Sequence, residues 1–315
     1  MVTTSRPAAR QRNSRSPART AGPVLVMIAG AGCLSISAIV VKLAEVNAGT
    51  AAFLRCALAL IALVPLAVRE CRRHGRFEPG LVWCALVAGA LLGADYVMWT
   101  ASVLDVGAGI ATVLINVQVV VFPLLARLFD RTPISARFAL TCPVMLAGIA
   151  LVGGALSHDP NAQHQVRGTL LALAAGAAYA GYLYLNRRSG QRSPQHVVTP
   201  VCLATASAAA VAGLLGWATT GVDLDVPPAS WLWLAVLALI SQVAAFLLMA
   251  AASPELAPNT SASLLLLQPV LAVALGVVVL AETPAPSQLV GCAVVVAAVW
   301  FAGRNPRHES NTGSG

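Results

Sequence analysis

Charge is what this 315-residue sequence has least of. Asp, Glu, Lys and Arg make up 10% of it, against about 25% in an ordinary soluble domain. So few charges cannot cover a water-facing surface, which excludes a soluble globular fold. Catalytic signatures are missing as well. There is no P-loop, no H-E-x-x-H pair and no Ser-His-Asp set. His158, His164 and His196 fall in loops without the spacing of a metal site. The seven cysteines form no paired spacing either: six lie in apolar runs and Cys71 in a basic loop. No metal and no cofactor is expected. These absences argue against an embedded enzyme and against a pump driven by this chain's own nucleotide site.

What the sequence has is apolar length. Hydrophobic residues make up 58%, and mean hydropathy is +0.78. A transmembrane helix needs roughly 17–25 apolar residues. Charge-free runs of that size cover 20–41, 106–126, 138–158, 168–186, 256–281 and 283–303. The run 193–222 holds one span after a polar lead-in, and 226–254 holds another. Two more spans tolerate one charge each, 49–68 with Arg55 and 80–102 with Asp95. The expected fold class is an all-α polytopic membrane protein with ten transmembrane helices.

The chain ends are polar. Residues 1–20 carry five Arg among Ser and Pro with no apolar periodicity, and read as a disordered basic tail. Lys and Arg also set the expected orientation. With the amino terminus inside, the inner segments hold 17 of them and the outer segments only Lys42 and Arg167, Arg55 being within a span. Both termini are therefore expected in the cytoplasm, in a cell (inner) membrane. The net charge of +8 is a topology signal, and no nucleic-acid partner is implied.

A shift of 150 residues lays "ASVLDVGAGIATVLINVQVVVFPLLARLFDRTP" over "AAASPELAPNTSASLLLLQPVLAVALGVVVLAETP". Asp105 then meets Glu255, Gln118 meets Gln268, and Thr132-Pro133 meets Thr283-Pro284 after one inserted residue. The pattern predicts two five-helix repeats, 21–156 and 168–303, with an external linker 157–167 and a cytoplasmic tail 304–315. Five is odd, so the second repeat enters from the opposite side, the inverted layout of many transporters.

The ten spans, the duplication and the segments "LLLLQPV…AETP" and "LINVQVV…DRTP" resemble the EamA-type members of the drug/metabolite transporter superfamily. The resemblance covers nearly the whole chain between the tails. It implies a secondary transporter working by alternating access, with export of a small metabolite or drug as the usual direction. Uptake or solute exchange on the same fold is the alternative. It also implies that helices one to four and six to nine line a central cavity, with five and ten as scaffold. A homodimer could form through the scaffold. Many relatives carry Glu-Pro where this chain has Gln268-Pro269, and an amide cannot carry a coupling proton.

Intramembrane polar groups are the candidate substrate or coupling residues. Asp95 lies about eight residues from the outer end of its span, roughly 12 Å deep, and Arg55 about six, roughly 9 Å. They could form a structural ion pair, or Asp95 could titrate and bind a cationic group. Asn116 and Gln118 are about 200° apart on one helix, so at most one faces a cavity squarely. Gln242 and Gln268 sit mid-span, as helix glue or as ligand contacts. Pro269 would kink its helix beside Gln268. Tyr96 and Trp99 could stack on a cationic or aromatic solute, Trp99 being alternatively an interfacial anchor. Glu282, at a helix exit, is a gate or loop candidate. "GALLG" at Gly89–Gly93 and "GAGCLS" at Gly30–Ser35 read as helix-packing faces.

Overall fold

A computed structural model describes residues 17–130, 162–252, 267–284 and 286–303, with isolated positions between 143 and 151. Every regular element among these residues is helical. Most of the expected span 138–158, the first part of 256–281, Arg131, Glu255 and most of both tails lie outside them.

In chain order the described helices are α1 (Pro17–Leu43), α2 (Ala48–His74), α3 (Pro79–Val106) and α4 (Ala108–Phe129). They continue with α5 (Ala162–Arg192), α6 (Val198–Thr219), α7 (Pro228–Ala252), α8 (Leu267–Leu280) and α9 (Pro286–Gly303). Seven of them, α1 to α7, are long and apolar enough to cross a membrane. At about 1.5 Å per residue, the 27 residues of α2 reach roughly 40 Å, more than a hydrocarbon core of about 30 Å.

Local chemistry sets the breaks. Asn47 precedes α2 and its Oδ1 accepts the Thr50 N–H at 2.7 Å, a side-chain N-cap. Prolines open α3, α7 and α9 at Pro79, Pro228 and Pro286, where the missing N–H costs nothing. Gly107, at φ 94°, makes the single-residue corner between α3 and α4 in a conformation that disfavours a Cβ.

The two halves of the sequence interleave. α3 packs chiefly against α5 and α6, and α2 against α6. Gly89 and Gly93 let α3 approach α6 closely: a Cβ on Gly93 would stand 2.6 Å from the Ala208 carbonyl oxygen, and one on Gly89 would overlap Ala204. The G-x-x-x-G reading of this stretch holds. In the second glycine pair, Gly30 touches Met249 and Ala245 of α7, while Gly32 faces open space.

Contacts along the helices fix their directions. The start of α2 meets the end of α6, where the Gly49 N–H donates to Thr220 Oγ1 at 3.0 Å. The end of α2 meets the start of α6, where Glu70 meets Val197–Thr199. The two helices are antiparallel along their length. Asp105, at the end of α3, holds Arg167 near the start of α5. Lys42, after which α1 ends, holds Glu282 beyond the end of α8. One end of the bundle thus gathers Lys42, Gly107, Arg167, Thr220 and Glu282, and the opposite end gathers Glu70, Gly75 and His196.

Two large apolar clusters, with two smaller ones, fill the interior among the described residues. Of the large ones, one centres on Leu63, Leu92, Tyr182 and Phe246, the other on Val41, Val103, Leu234 and Leu237. Outside, large apolar side chains such as Ile61, Leu170 and Leu232 are exposed, as a lipid-facing surface requires. Trp83 and Trp217 are exposed near opposite ends of the bundle, the placement of interfacial aromatic anchors.

Candidate functional site

Tyr96 belongs to the first apolar cluster and Trp99 to the second, and the polar interior lies where the clusters meet. A cavity of about 50 Å³ there is lined by residues of α1 to α5, α7 and α8. Polar contributors are Ser37, Arg55, Asp95, Thr112, Gln118 and Gln268, with Tyr96, Trp99 and Tyr179 as aromatic walls. Helices from both halves of the sequence therefore build it.

Arg55 is 1% and Asp95 2% exposed. Both line the cavity, yet they close no ion pair. Arg55 places its guanidinium carbon 4.0 Å over the Tyr96 ring, a cation–π contact. Its Nη2 donates to Ser241 Oγ at 3.3 Å, and Ser241 in turn donates to the Leu237 carbonyl at 2.6 Å. Arg55 Nε and Asp95 Oδ1 are buried without a hydrogen-bond partner, as are Ser37 Oγ and Gln118 Oε1. Buried polar atoms are nearly always bonded, and four unsatisfied ones gather around this one cavity.

Ser241 and Gln242 owe their placement to the backbone. Within α7, Leu237–Ala244 widens into a π-helical segment, a feature frequent at functional sites. Two consecutive polar residues are thereby both buried. Gln242 Oε1 accepts the Tyr96 hydroxyl, and its Nε2 donates to Thr205 Oγ1 at 3.0 Å. Gln242 is fully committed between α3, α6 and α7, the helix-glue arrangement.

The other sequence candidates separate in the same way. Gln118 lines the cavity, while Asn116 is buried away from it and donates back to the Thr112 carbonyl at 2.7 Å. A 3₁₀ turn at Ile115–Val117 holds Asn116 and ends just before Gln118. Gln268 lines the cavity, and its backbone carbonyl accepts from Ser35 Oγ at 3.2 Å. Pro269 lies inside the helical run of α8. Trp99 is buried against the cavity, which overturns its reading as an interfacial anchor. The Tyr96 ring is already occupied by Arg55, so that face is not free to stack on a solute.

Glu282 sits outside the helices, at the Lys42 end. Its Oε1 takes a 2.7 Å ion pair from Lys42 and the Ala108 N–H at 2.9 Å, and its Oε2 takes the Gly109 N–H at 3.4 Å. Burial raises its carboxyl pKa, and the Lys42 contact with the two N–H bonds outweighs that effect, so the net pKa lies below the ordinary glutamate value. A second cavity of about 510 Å³ opens beside it, lined by Lys42, Asp105, His164, Gln165 and Glu282. Its charged groups are satisfied: Arg167 grips Asp105 at 2.9 and 3.2 Å, and His164 Nδ1 lies 3.9 Å from the same carboxylate.

Sequence reading passed over several members of the site. Ser37, Thr112 and Tyr179 line the cavity, and Ser241 and Thr205 brace it. Small hydroxyls in apolar spans look like any packing residue, so the sequence gives no signal for them. Among the described residues, no group of three or more His, Cys, Asp or Glu is placed to hold a metal ion.

The model of the EamA-like transporter family matches the sequence twice, over residues 22–154 and 166–304. No curated protein matches significantly. A protein of known crystal structure is similar in fold, with a TM-score of 0.60 at 19% identity over 90% of this chain and 96% of that chain.

Proposed function

Because this chain belongs to the EamA-like transporter family, we propose that it is a secondary carrier exporting a small organic solute by alternating access. The ten spans form two five-helix halves of opposite orientation. What supports the inversion is helix direction. α1 ends, and α5 begins, at the Lys42 end; α2 begins and α6 ends there; α4 begins and α8 ends there. Each of these pairs stands in equivalent places of the two halves. The arginine-poor Lys42 end faces outward, and both termini lie in the cytoplasm.

The observation that carries the proposal is the cavity between the halves, with Arg55, Asp95, Gln118 and Ser37 each holding a buried atom without a partner. A separated cation and carboxylate suit a solute that brings an acceptor to one and a donor to the other, such as an amino acid or another zwitterionic metabolite. At about 50 Å³ the cavity is well below the roughly 300–1,000 Å³ of organic-ligand pockets. The conformation is therefore a contracted one, and admission requires the halves to part. With amides at Gln118 and Gln268, a coupling proton falls to Asp95.

Counterflow in proteoliposomes tests the proposal. Vesicles preloaded with an unlabelled amino acid should accumulate the labelled one without chemical change. A panel that includes purely cationic and purely anionic analogues should rank below the zwitterions. Equal leak with and without preloading would indicate a channel, and chemical conversion an enzyme.

A further inference from the structure

Among the described helices, α6 and α4 both begin without a side-chain cap of their own: α6 starts after Val197 and α4 after Gly107, and neither residue offers a capping side chain. The first N–H groups of a helix have no partner within it, and the positive end of the dipole attracts an anion. Both ends receive a carboxylate from the other half of the sequence. Glu70 of α2 accepts the N–H groups of Val197 and Val198 on Oε1 at 2.8 and 2.9 Å. Its Oε2 accepts the Thr199 N–H and hydroxyl, both at 2.6 Å. Glu282, from the second half, does the same for Ala108 and Gly109 of the first, with Lys42 added.

The two contacts lie at opposite ends of the bundle. Glu70 is 22 residues along α2 from Ala48, roughly 33 Å at 1.5 Å per residue. We infer that Glu70 and Glu282 are the two latches of the transport cycle, each closing one end by capping a helix of the opposite half, and that both are engaged in the conformation described here. Parting the halves at one end breaks the four hydrogen bonds to Glu70, besides the His196–Gly75 contact. Parting them at the other breaks the three at Glu282, one of them an ion pair, besides Asp105–Arg167 and Gly49–Thr220. Neither opening requires the other, because the carboxylates share no partner. This is the arrangement that alternating access needs: two independent closures around one central cavity.

The inference rests on the alternating-access reading, so its test reads opening rather than transport. The seven native cysteines are replaced, and a single reporter is introduced as Ser37→Cys on the cavity wall. Labelling by a membrane-impermeant maleimide is then followed in sealed vesicles of each orientation. Glu70→Gln is expected to raise the rate roughly fivefold or more from the Glu70 face alone, and Glu282→Gln likewise from the Glu282 face alone. Lys42→Met should act on the Glu282 face, and Thr199→Val, which removes one donor to Glu70, on the Glu70 face. If a Gln variant does not fold, these two milder variants decide by the same one-sided criterion. Parental labelling from both faces, or an equal rise from both, would mean that the carboxylates are static staples and would overturn the inference. One-sided labelling in a protein that moves no solute keeps the latches and removes the carrier reading. Transport with unmoved labelling does the reverse.

Discussion

Arg55 is stacked on Tyr96, with the guanidinium carbon 4.0 Å from the ring centroid, and does not close on Asp95. A buried arginine held by an aromatic face and a serine, its Nε still without a partner, leaves the carboxylate beside it unpaired. Had the two charges paired, each would have spent its strongest bond on the other. Asp95→Asn keeps the shape and removes the charge. Counterflow should fall by about tenfold to a hundredfold, since a hydrogen bond to a charged group contributes about 1.5–3 kcal/mol. Chromatographic monodispersity should be unchanged. Normal counterflow in this variant across pH would end the coupling role of Asp95.

The two parts of Tyr96 do different work. Its hydroxyl is held by Gln242 Oε1, and its ring carries Arg55. Tyr96→Phe leaves the ring in place and strands a buried amide oxygen, so the melting temperature should drop by the equivalent of about 1–3 kcal/mol while solute affinity changes little. Tyr96→Leu removes the platform as well. Arg55 is then misplaced, and counterflow should be lost in material that still folds. Thermal unfolding in detergent and a KM measurement separate the two effects.

Gln268 and Gln242 are both mid-span amides, but only Gln268 lines the cavity, while Gln242 bonds to Tyr96 and Thr205. Gln268→Ala should alter the ranking of competing solutes at nearly parental stability. Gln242→Ala should lower stability by about 1–3 kcal/mol and leave the ranking intact. Competition against a labelled solute, run beside thermal unfolding, checks both.

Much of this was legible in the sequence, for a physical reason. A charge or amide inside an apolar run is expensive, so Arg55, Asp95, Gln118 and Gln268 stood out before any coordinates. The 200° separation of Asn116 and Gln118 told that one would turn from the cavity, but not which. Direction also eluded the sequence at Trp99, because tryptophan near a helix end is common at interfaces and only the packing of α3 shows it turned inward. Glu70 was invisible for another reason. It stands among arginines at a helix exit, and three of its four donors are backbone N–H groups 127 to 129 residues away, which carry no residue signature. The π-helical widening of α7 likewise has no marker in "LALISQVA".

The closest helix crossing gives a purely steric prediction. A Cβ at Gly93 would stand 2.6 Å from the Ala208 carbonyl oxygen and 3.0 Å from its Cα, both of them backbone atoms that cannot swing aside. Gly93→Val must push α3 and α6 apart, and α3 carries Asp95, Tyr96 and Trp99. The variant should lose about 1–3 kcal/mol, the usual cost of overpacking, together with counterflow. Gly32→Val, at a position where nothing lies within 4 Å, should lose neither. Paired melting curves and flux measurements decide it.

The Glu282 contact carries a pH signature whose sign follows from its surroundings. Burial works against the ionised carboxylate, and Lys42 with the N–H groups of Ala108 and Gly109 overcomes it, holding the folded pKa below the ordinary glutamate value. A depressed carboxylate contributes stability above its unfolded pKa and loses it as pH falls through the folded one. The contact is therefore intact at neutral pH and releases only in acid, below the usual glutamate range. Asp105 and His164 share the adjoining cavity, where His164 Nδ1 stands 3.9 Å from the Asp105 carboxylate. The rate of labelling from the Glu282 face, divided by that of Glu282→Gln at the same pH so that ionisation of the reporter thiol cancels, should thus stay flat from about pH 8 to pH 5 and rise only below that. In Glu282→Gln the rate should exceed the parent's from about pH 8 to pH 5 and follow only the ionisation of the reporter thiol. A rise centred near pH 6.5 in the parent, the usual histidine range, would assign this closure to His164 instead.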